Sequence, residues 1–460
     1  VEVRFLSLSR NGNTERLART IAYLGSTFAE GEGCHCEAQS AEAISQITQP
    51  KKVGFFFRKE KRMKKLGLGL LVFLFVLTFG KTSLAEEEET VRLGEVVVTA
   101  TRIEEPIEET GSSVTVITAE EIKEKGLTTV KEVLKQTIGF DTASNGTFGG
   151  PTSVFIRGAN SGHTLIMIDG VKVYDPISTN ASFDFANLTT DNIEQIEIIR
   201  GPQSSLYGSD AIGGVINIIT KKGEGKPRFN ISFEGGSHRT FRESLSSFGS
   251  IGKFDYSFSA SRLDSDGISK AHKRDGNPEK DKYENSCFFG KFDYHPSDDI
   301  TLGFLSRYNR AKFDLDDWVP SDDSNHRGTE EQVVLSTYFD QKISDLWKQN
   351  LKLSWMRNVR YDDNDDDALH LADYLRSWYK GQNRAVDWQH NFSPADWDTI
   401  VAGFQYNKEE GKSLYSDAWG ETIFPEKTAS NKGYYLENRL KVNDRFFNTL
   451  SVRTDDHSKF

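Results

Sequence analysis

Residues Asn192–Thr220 read NIEQIEIIRGPQSSLYGSDAIGGVINIIT, and the fold turns on this stretch. Ile193–Ile199 alternates enough apolar and charged residues to predict a strand, which Gly201-Pro202 ends. Ser204–Ala211 has room for one short helical turn before Gly213-Gly214, where two glycines allow positive φ or a close backbone approach. Val215–Ile219 then predicts a second strand. On composition alone this is the strand, turn and strand of any small α+β domain.

The wording is more specific than the composition. Arg200-Gly201-Pro202, Leu206-Tyr207-Gly208 and Ile212-Gly213-Gly214-Val215-Ile216-Asn217-Ile218 follow one another within a short span, and together they resemble the plug domain of TonB-dependent outer-membrane receptors. Upstream, Ser113–Thr118 alternates as a strand, and Thr118 is a plausible helix N-cap with Glu121 at the capping-box position. Thr128–Gln136 predicts a second helix with Val130, Val133 and Leu134 on one face. Gly139-Phe140, Ser153–Gly158 and Leu165–Val171 also look like plug elements, and Asp169-Gly170 is a hairpin signal in its own right. The plug is therefore expected over 111–225. Arg157 and Arg200 each end an apolar strand, where a cation needs a partner. An ordinary surface arginine is one reading; the resemblance implies that both face carboxylates of a barrel wall. Two polar loops, Ala143–Thr152 and Tyr174–Phe183, have the composition of solvated turns. By resemblance they crown the plug, which makes Asn145, Thr147, Tyr174, Ser178 and Asn180 candidates for substrate contact.

From Arg228 onward the period changes to two. Phe229, Ile231 and Phe233 alternate with Asn230, Ser232 and Glu234, and Phe254, Tyr256 and Phe258 alternate with Asp255, Ser257 and Ser259. Apolar-out and polar-in suits a barrel around a wet lumen, although a sandwich alternates too. The connections arbitrate. Short links near Gly249–Lys253, His295–Asp299, Ser344–Gln349, Ser393–Trp397 and Asn443–Arg445 take turns with long polar ones near Asp264–Lys282, Lys312–Glu330, Tyr361–Arg376 and Asn407–Asn431. Short turns inside and long loops outside are the outer-membrane signature. The fold class is thus mainly β, an N-terminal α+β plug followed over 226–460 by an antiparallel transmembrane β-barrel. About 11 strands are expected where the resembled family has about 22 around a plugged lumen. An odd count leaves an open edge in lipid, so the sequence reads as a receptor truncated halfway through its barrel.

The N-terminal region shows no sustained period over 1–62 and reads as upstream-translated extension. Met63-Lys64-Lys65, the uncharged run Leu66–Gly80 and Ser83-Leu84-Ala85 form a basic, an apolar and a small-residue block, the pattern of a signal peptide over 63–85. The run is shorter than the roughly 20 residues that a spanning helix needs. An acidic leader follows over 86–110 and contains the β-prone Glu95-Val96-Val97-Val98-Thr99-Ala100, suited to adding a strand to a partner's sheet edge. It could equally be the first plug strand on propensity. Its position resembles the TonB box, which implies the TonB energy-transducing protein as partner.

Hydrophobic residues make up only 37% of the chain and aromatics 12%, and mean hydropathy is −0.54, values that exclude a helical membrane protein but fit an alternating barrel in the lipid bilayer of the outer membrane. A net charge of −11 disfavours nucleic acid as a partner. Cys34, Cys36 and Cys287 give no disulfide framework, and no cluster of nucleophile, base and orienter appears, so an enzyme is not expected. Within the family, Leu206–Thr220 and the loop Phe313-Asp314-Leu315-Asp316-Asp317-Trp318 look most like the cobalamin transporters, with ferric-siderophore receptors the alternative and a non-functional receptor fragment a third reading. No cofactor is expected beyond structural calcium. Asp314, Asp316, Asp317, Asp322 and Asp323 could supply its hard oxygen ligands, and the same acids would also serve plain solubility.

Overall fold

The computed structural model describes residues 97–98, 102–103, 105–107, 110–146, 148–269, 280–315, 325–366, 374–443 and 446–459. The expected extension over 1–62, the signal segment over 63–85, and Glu95, Val96, Thr99, Ala100, Thr147, Asp316, Asp317, Asp322 and Asp323 lie outside the described residues.

The inner domain is built on a five-stranded sheet. Its strands are β3 (Ser113–Thr118), β6 (Thr164–Ile168), β7 (Val171–Lys172), β8 (Ile193–Arg200) and β9 (Gly214–Thr220), ordered β3-β8-β9-β6-β7. Only β6 and β9 run parallel. The buried faces of β6, β8 and β9 are near-continuous Ile and Val because both sides of the sheet are covered. Helix α1 (Ala119–Glu124) begins where expected, with Thr118 Oγ1 accepting the Glu121 N–H. Helix α2 (Val130–Lys135) starts on a capping box in which Glu132 Oε2 accepts the N–H groups of Thr128 and Thr129, and it buries Val130, Val133 and Leu134. Between β6 and β7 the two-residue turn Asp169-Gly170 has φ of 47° and 74°, the left-handed pair that a type I′ hairpin requires. Two smaller ladders complete this part: β4 (Phe140–Ser144) with β5 (Thr152–Ile156), and β1 (Val97–Val98) with β2 (Glu105–Pro106).

Around it stands one antiparallel sheet of eleven strands in sequence order: β10 (Arg228–Gly235), β11 (Phe241–Ile251), β12 (Phe254–Ser265), β13 (Tyr283–Ser297), β14 (Ile300–Asp314), β15 (Arg327–Ser344), β16 (Trp347–Asn364), β17 (Leu375–Ala395), β18 (Asp398–Asp417), β19 (Gly420–Asn443) and β20 (Phe446–His457). The alternation sorts its faces. Phe254, Phe258, Phe288, Phe292 and Phe304 are exposed on the outside, while Ser257, Ser259, Asn309 and Gln332 are buried on the inside. Phe289, Leu305, Val334 and Met356 of the wall join the core of the inner domain, so the wall packs directly on it.

One expected loop is a strand pair. Asn407–Asn431 reads in the sequence as a long polar connection, but β18 continues to Asp417 and β19 starts at Gly420, with Leu414 opposite Ile423 and Ser413 opposite Phe424. Beyond the bilayer both faces of a strand are wet, so polar residues there do not mark a loop.

Candidate functional site

The chemistry of this chain is concentrated where the inner domain meets the wall. Three groups of polar contacts organise that seam.

The first pins the leader. Arg102 lies just after the β-prone segment, and its side chain is only 7% exposed. Its Nη1 donates to Asp387 Oδ2 at 2.9 Å and to the Tyr435 hydroxyl at 3.0 Å. The guanidinium sits between two rings, 4.4 Å from the centroid of Tyr207 in the inner domain and 4.6 Å from that of Tyr435 in the wall. Gln389 Nε2 donates back to the Arg102 carbonyl at 2.9 Å, and Gln405 Nε2 holds Asp387 at 2.6 Å. Burial opposes the charge on Arg102, but Asp387 and the two tyrosines outweigh it and raise its pKa above the ordinary value. Beside this pin, Val97–Val98 pairs with Glu105–Pro106 over two residues only. Proline brings no N–H to that ladder, so the pairing is weak.

The second holds the hairpin tip. Asp169 is 10% exposed and its carboxylate takes Lys291 Nζ at 3.2 Å and Thr220 Oγ1 at 2.5 Å, while its carbonyl accepts from Lys352 Nζ at 2.9 Å. Gly170 donates to Asn217 Oδ1 at 3.2 Å, and Asn217 Nδ2 reaches the buried Glu197 at 3.4 Å, so the tip is tied into the middle of the sheet.

The third lies at the other side of the inner domain. Asp175 pairs with Arg360 at 2.8 Å, and Asp191 with Arg242 at 2.5 Å. The Tyr174 hydroxyl donates to Glu409 Oε1 at 2.5 Å; burial first, and then the Glu409 charge, push its pKa well above the ordinary value, so it stays a donor. Asn187 Nδ2 donates to Glu330 Oε2 at 2.5 Å and its oxygen accepts from Tyr283 at 3.0 Å. Asp184, whose Oδ1 accepts the N–H groups of Thr152 at 2.8 Å and Ala186 at 2.9 Å, has its pKa raised by burial in spite of these bonds.

These contacts correct one expectation. Among the described residues Arg200 meets no wall carboxylate: it donates to Thr115 Oγ1 at 2.7 Å and the Ile138 carbonyl at 3.0 Å, both in the inner domain, and its pKa is lowered by burial and by Arg157. Arg157 is exposed at φ 48° and has no carboxylate partner among the described residues. The polarity of the seam is mostly reversed, with aspartates on the inner domain and cations on the wall. Among the described residues Arg102 is the exception, and sequence reasoning missed it along with Asp169, Asp175 and Asp191. The signal for their partners was available: Lys291, Lys352 and Asp387 are charges on the inward phase of the alternation, where a filled lumen makes them expensive unless paired.

Of the loop candidates, Asn145 is exposed, and its loop docks by Phe148, which stacks on Tyr283 at 5.3 Å. Ser178 Oγ donates within its own turn to the Asp175 carbonyl at 3.1 Å, and Asn180 Nδ2 reaches Ser161 Oγ at 3.2 Å, which ties this loop to the turn at Ser161 within the inner domain. Asp314 accepts the Lys282 N–H at 3.1 Å and lies 3.8 Å from Arg327. The neighbouring acids Asp362, Asp363 and Asp366 bond His326, Arg376 and the Tyr374 N–H.

Comparison with known proteins places this geometry. Residues 106–215 match the family model described as TonB-dependent Receptor Plug Domain. The chain is 30% identical over 367 residues to the vitamin B12 transporter BtuB of Photobacterium profundum and 28% identical over 370 residues to that of Vibrio vulnificus, in each case over 79% of this chain and 57% of the relative. The chain thus spans little more than half the length of the curated relatives it matches. Among solved structures, the ferripyoverdine receptor of Pseudomonas aeruginosa superposes with a TM-score of 0.65 at 16% identity, over 79% of this chain and 54% of that one. The ferric preacinetobactin receptor BauA of Acinetobacter baumannii gives 0.63 at 14%, over 79% and 62%. At such identities these two show the fold alone.

Proposed function

We propose, from the premise that this chain carries the plug domain and strand wall of a TonB-dependent receptor, that it serves energy-driven uptake of a scarce nutrient across the outer membrane of a Gram-negative bacterium. Cobalamin is the nutrient favoured, because the curated relatives it resembles are vitamin B12 transporters. The observation that carries the reading is Arg102, which fastens the leader simultaneously to plug and wall.

The outer membrane holds no ATP, so work has to arrive through a protein contact. Glu95–Ala100 supplies it by strand addition to the TonB protein, and Val97–Val98 can exchange its two-residue ladder for a longer one. Tension on that strand meets Arg102 two residues after Ala100 and passes through it into the plug. Substrate binds at the outer end, with Asn145, Thr147, Tyr174, Ser178 and Asn180 as contacts. Binding exposes the leader only to the extent that loaded and empty plugs differ in affinity for it. Tyr174 and Asp175 reach the wall from that same end, which supports a path from ligand to seam. Calcium held by Asp314, Asp316, Asp317, Asp322 and Asp323 would order the outer loop before substrate arrives. No catalytic step is part of this function.

The test is uptake of radiolabelled cobalamin by cells whose only such receptor is this protein. Deleting 95–100 abolishes uptake and leaves equilibrium binding intact. Uptake that persists without 95–100 overturns the coupling. Uptake of ferric chelates with none of cobalamin transfers the reading to the siderophore receptors. Absence of both binding and uptake in a membrane-inserted product makes this a fragment without transport activity.

A further inference from the structure

Two glycines of the wall make room for the inner domain. Gly381 on β17 and Gly411 on β18 stand directly opposite each other in the ladder. Both take the inward phase, since Asp387 and Gln389 on β17 and Gln405 and Glu409 on β18 face the lumen. Glycine inside a strand weakens it and marks a bulge or the close approach of another group. At Gly290, Gly303, Gly328, Gly403 and Gly433 the group that approaches is a side chain of the wall itself. Gly381 and Gly411 differ. A Cβ on Gly381 would lie 2.8 Å from Pro176 Cδ and 3.2 Å from Ile177 Cγ1, and one on Gly411 would lie 3.2 Å from the same Cγ1. The glycine pair is a notch, and Pro176-Ile177 is the knob seated in it.

The knob belongs to a loop built to move as a unit. Its bonds close on themselves: Asp175 N–H donates to the Ser182 carbonyl at 3.2 Å, Ile177 N–H to Asp175 Oδ1 at 3.0 Å, and Ala181 N–H to the Ser178 carbonyl at 3.1 Å. Tyr174 to Glu409 and Asp175 to Arg360 tie it to the wall, and the Arg360 side chain is 43% exposed, so water can replace the second tie. Elsewhere wall side chains such as Phe289, Leu305 and Met356 interlock with the inner domain. A glycine floor has nothing to interlock, so the knob leaves without turning a wall side chain. Two orphaned amides flank the notch. Asn358 on β16 is opposite Gly381, and Asn383 stands two residues along β17 from Gly381 on the same face. They are 5% and 3% exposed, and the side-chain oxygen of each has no hydrogen-bond partner among the described residues. A buried acceptor without a donor is costly, and a pair of them beside a removable knob calls for a ligand.

We propose that the solute crosses the receptor along this stretch of wall: withdrawal of Pro176-Ile177 opens the notch, and the vacated notch is a transient binding site in which Asn358 and Asn383 accept hydrogen bonds from carboxamide N–H groups of an uncharged solute lying against the glycine floor. The two charges that the departing loop uncovers, Glu409 and Arg360, cancel, so the opened site is neutral and disfavours an anionic chelate. Carboxamides surround the ring of cobalamin, which fits the nutrient favoured above. The inference rests on the uptake reading and adds to it where the path runs and which side chains line it.

The experiment is a reversible cross-link, I177C/G411C in a C287S background, in cells with no other cobalamin receptor and with heat-modifiable gel mobility as the check of folding. Ile177 Cγ1, 3.2 Å from the Cβ position on Gly411, is one bond from the Ile177 Cβ, which puts the two thiols within reach of a disulfide. Oxidation should leave equilibrium surface binding of radiolabelled cyanocobalamin intact and abolish its uptake, and dithiothreitol should restore uptake in the same cells. N358L/N383L should lower the maximal uptake rate by about 30-fold, the effect of losing two neutral hydrogen bonds, at unchanged surface binding. N358Q/N383Q keeps both amides and should recover part of that rate. Uptake that persists in the cross-linked form, or a folded I177C/G411C that never cross-links, overturns the path. An unchanged rate in folded N358L/N383L overturns the amide site. If neither the reduced variant nor the unmodified protein takes up cobalamin, the uptake reading falls and this site with it, whereas uptake in the reduced form that survives cross-linking sinks this site alone.

Discussion

Replacing Arg102 with alanine leaves Asp387 buried at the seam without its cation and opens a gap between the rings of Tyr207 and Tyr435. Breaking a buried pair from one side costs about 3–5 kcal/mol. The lower end applies, because the Asp387 side chain is 23% exposed and keeps its 2.6 Å bond from Gln405. The loss is local. Ile103 still packs against the buried cluster that includes Tyr207 and Tyr435, and the wall ladder on either side of Asp387 is untouched. About 3 kcal/mol therefore appears as an increase of about 150-fold in the population with a free leader. Hydrogen exchange over 97–106 in the folded protein reads it directly, with urea unfolding as the control for global stability. R102A should lose protection there by that factor at nearly constant global stability. R102A/D387N should recover most of it, since removing both charges removes the unpaired one. R102K keeps the charge but loses planar stacking on two rings, and should fall between. Unchanged exchange over 97–106 in R102A would refute the view that this residue holds the leader.

D169A should lower the unfolding free energy by about 3 kcal/mol, because Lys291 is left buried without its carboxylate and Thr220 without its acceptor; a smaller shift in K291M/D169A than in D169A identifies the unpaired charge as the cause. G170A meets φ 74° and the Lys352 Nζ at 2.7 Å from the added Cβ, so it should cost about 1 kcal/mol in thermal or urea unfolding, with the lysine tip moving aside. E132A removes the acceptor shared by the Thr128 and Thr129 N–H groups and should cost about 1 kcal/mol, read as lost amide protection in α2. Asp184 has a raised folded pKa, so the folded state binds more protons than the unfolded one between the two values. Its contribution is complete below the ordinary aspartate range and is lost as pH rises through the folded value. D184N should flatten that part of the stability-against-pH curve, and an unchanged slope would reject the assignment.

The plug is legible to within a residue or two because its signals are local. The strand expected over Val215–Ile219 spans Gly214–Thr220, Thr118 caps α1, and Asp169-Gly170 makes the type I′ turn. The wall is legible as eleven alternating strands because a sheet with one wet and one oily face writes its period into the chain. The ribbon over Asn407–Asn431 is not, for the complementary reason, since outside the bilayer that contrast vanishes while the ladder continues.

What the sequence determined by itself, then, is the class of each segment and the face each residue takes, because period, turn chemistry and capping act over a few residues. Only the tertiary structure decided the partners. Arg102 meets Asp387 across 285 positions, and Asp169 meets Lys291 across 122. Arg200, expected at the wall, turns inward to Thr115 and Ile138. A buried charge takes the nearest complementary group in space, and which group that is depends on how the plug sits within the wall, a relation that no local pattern encodes.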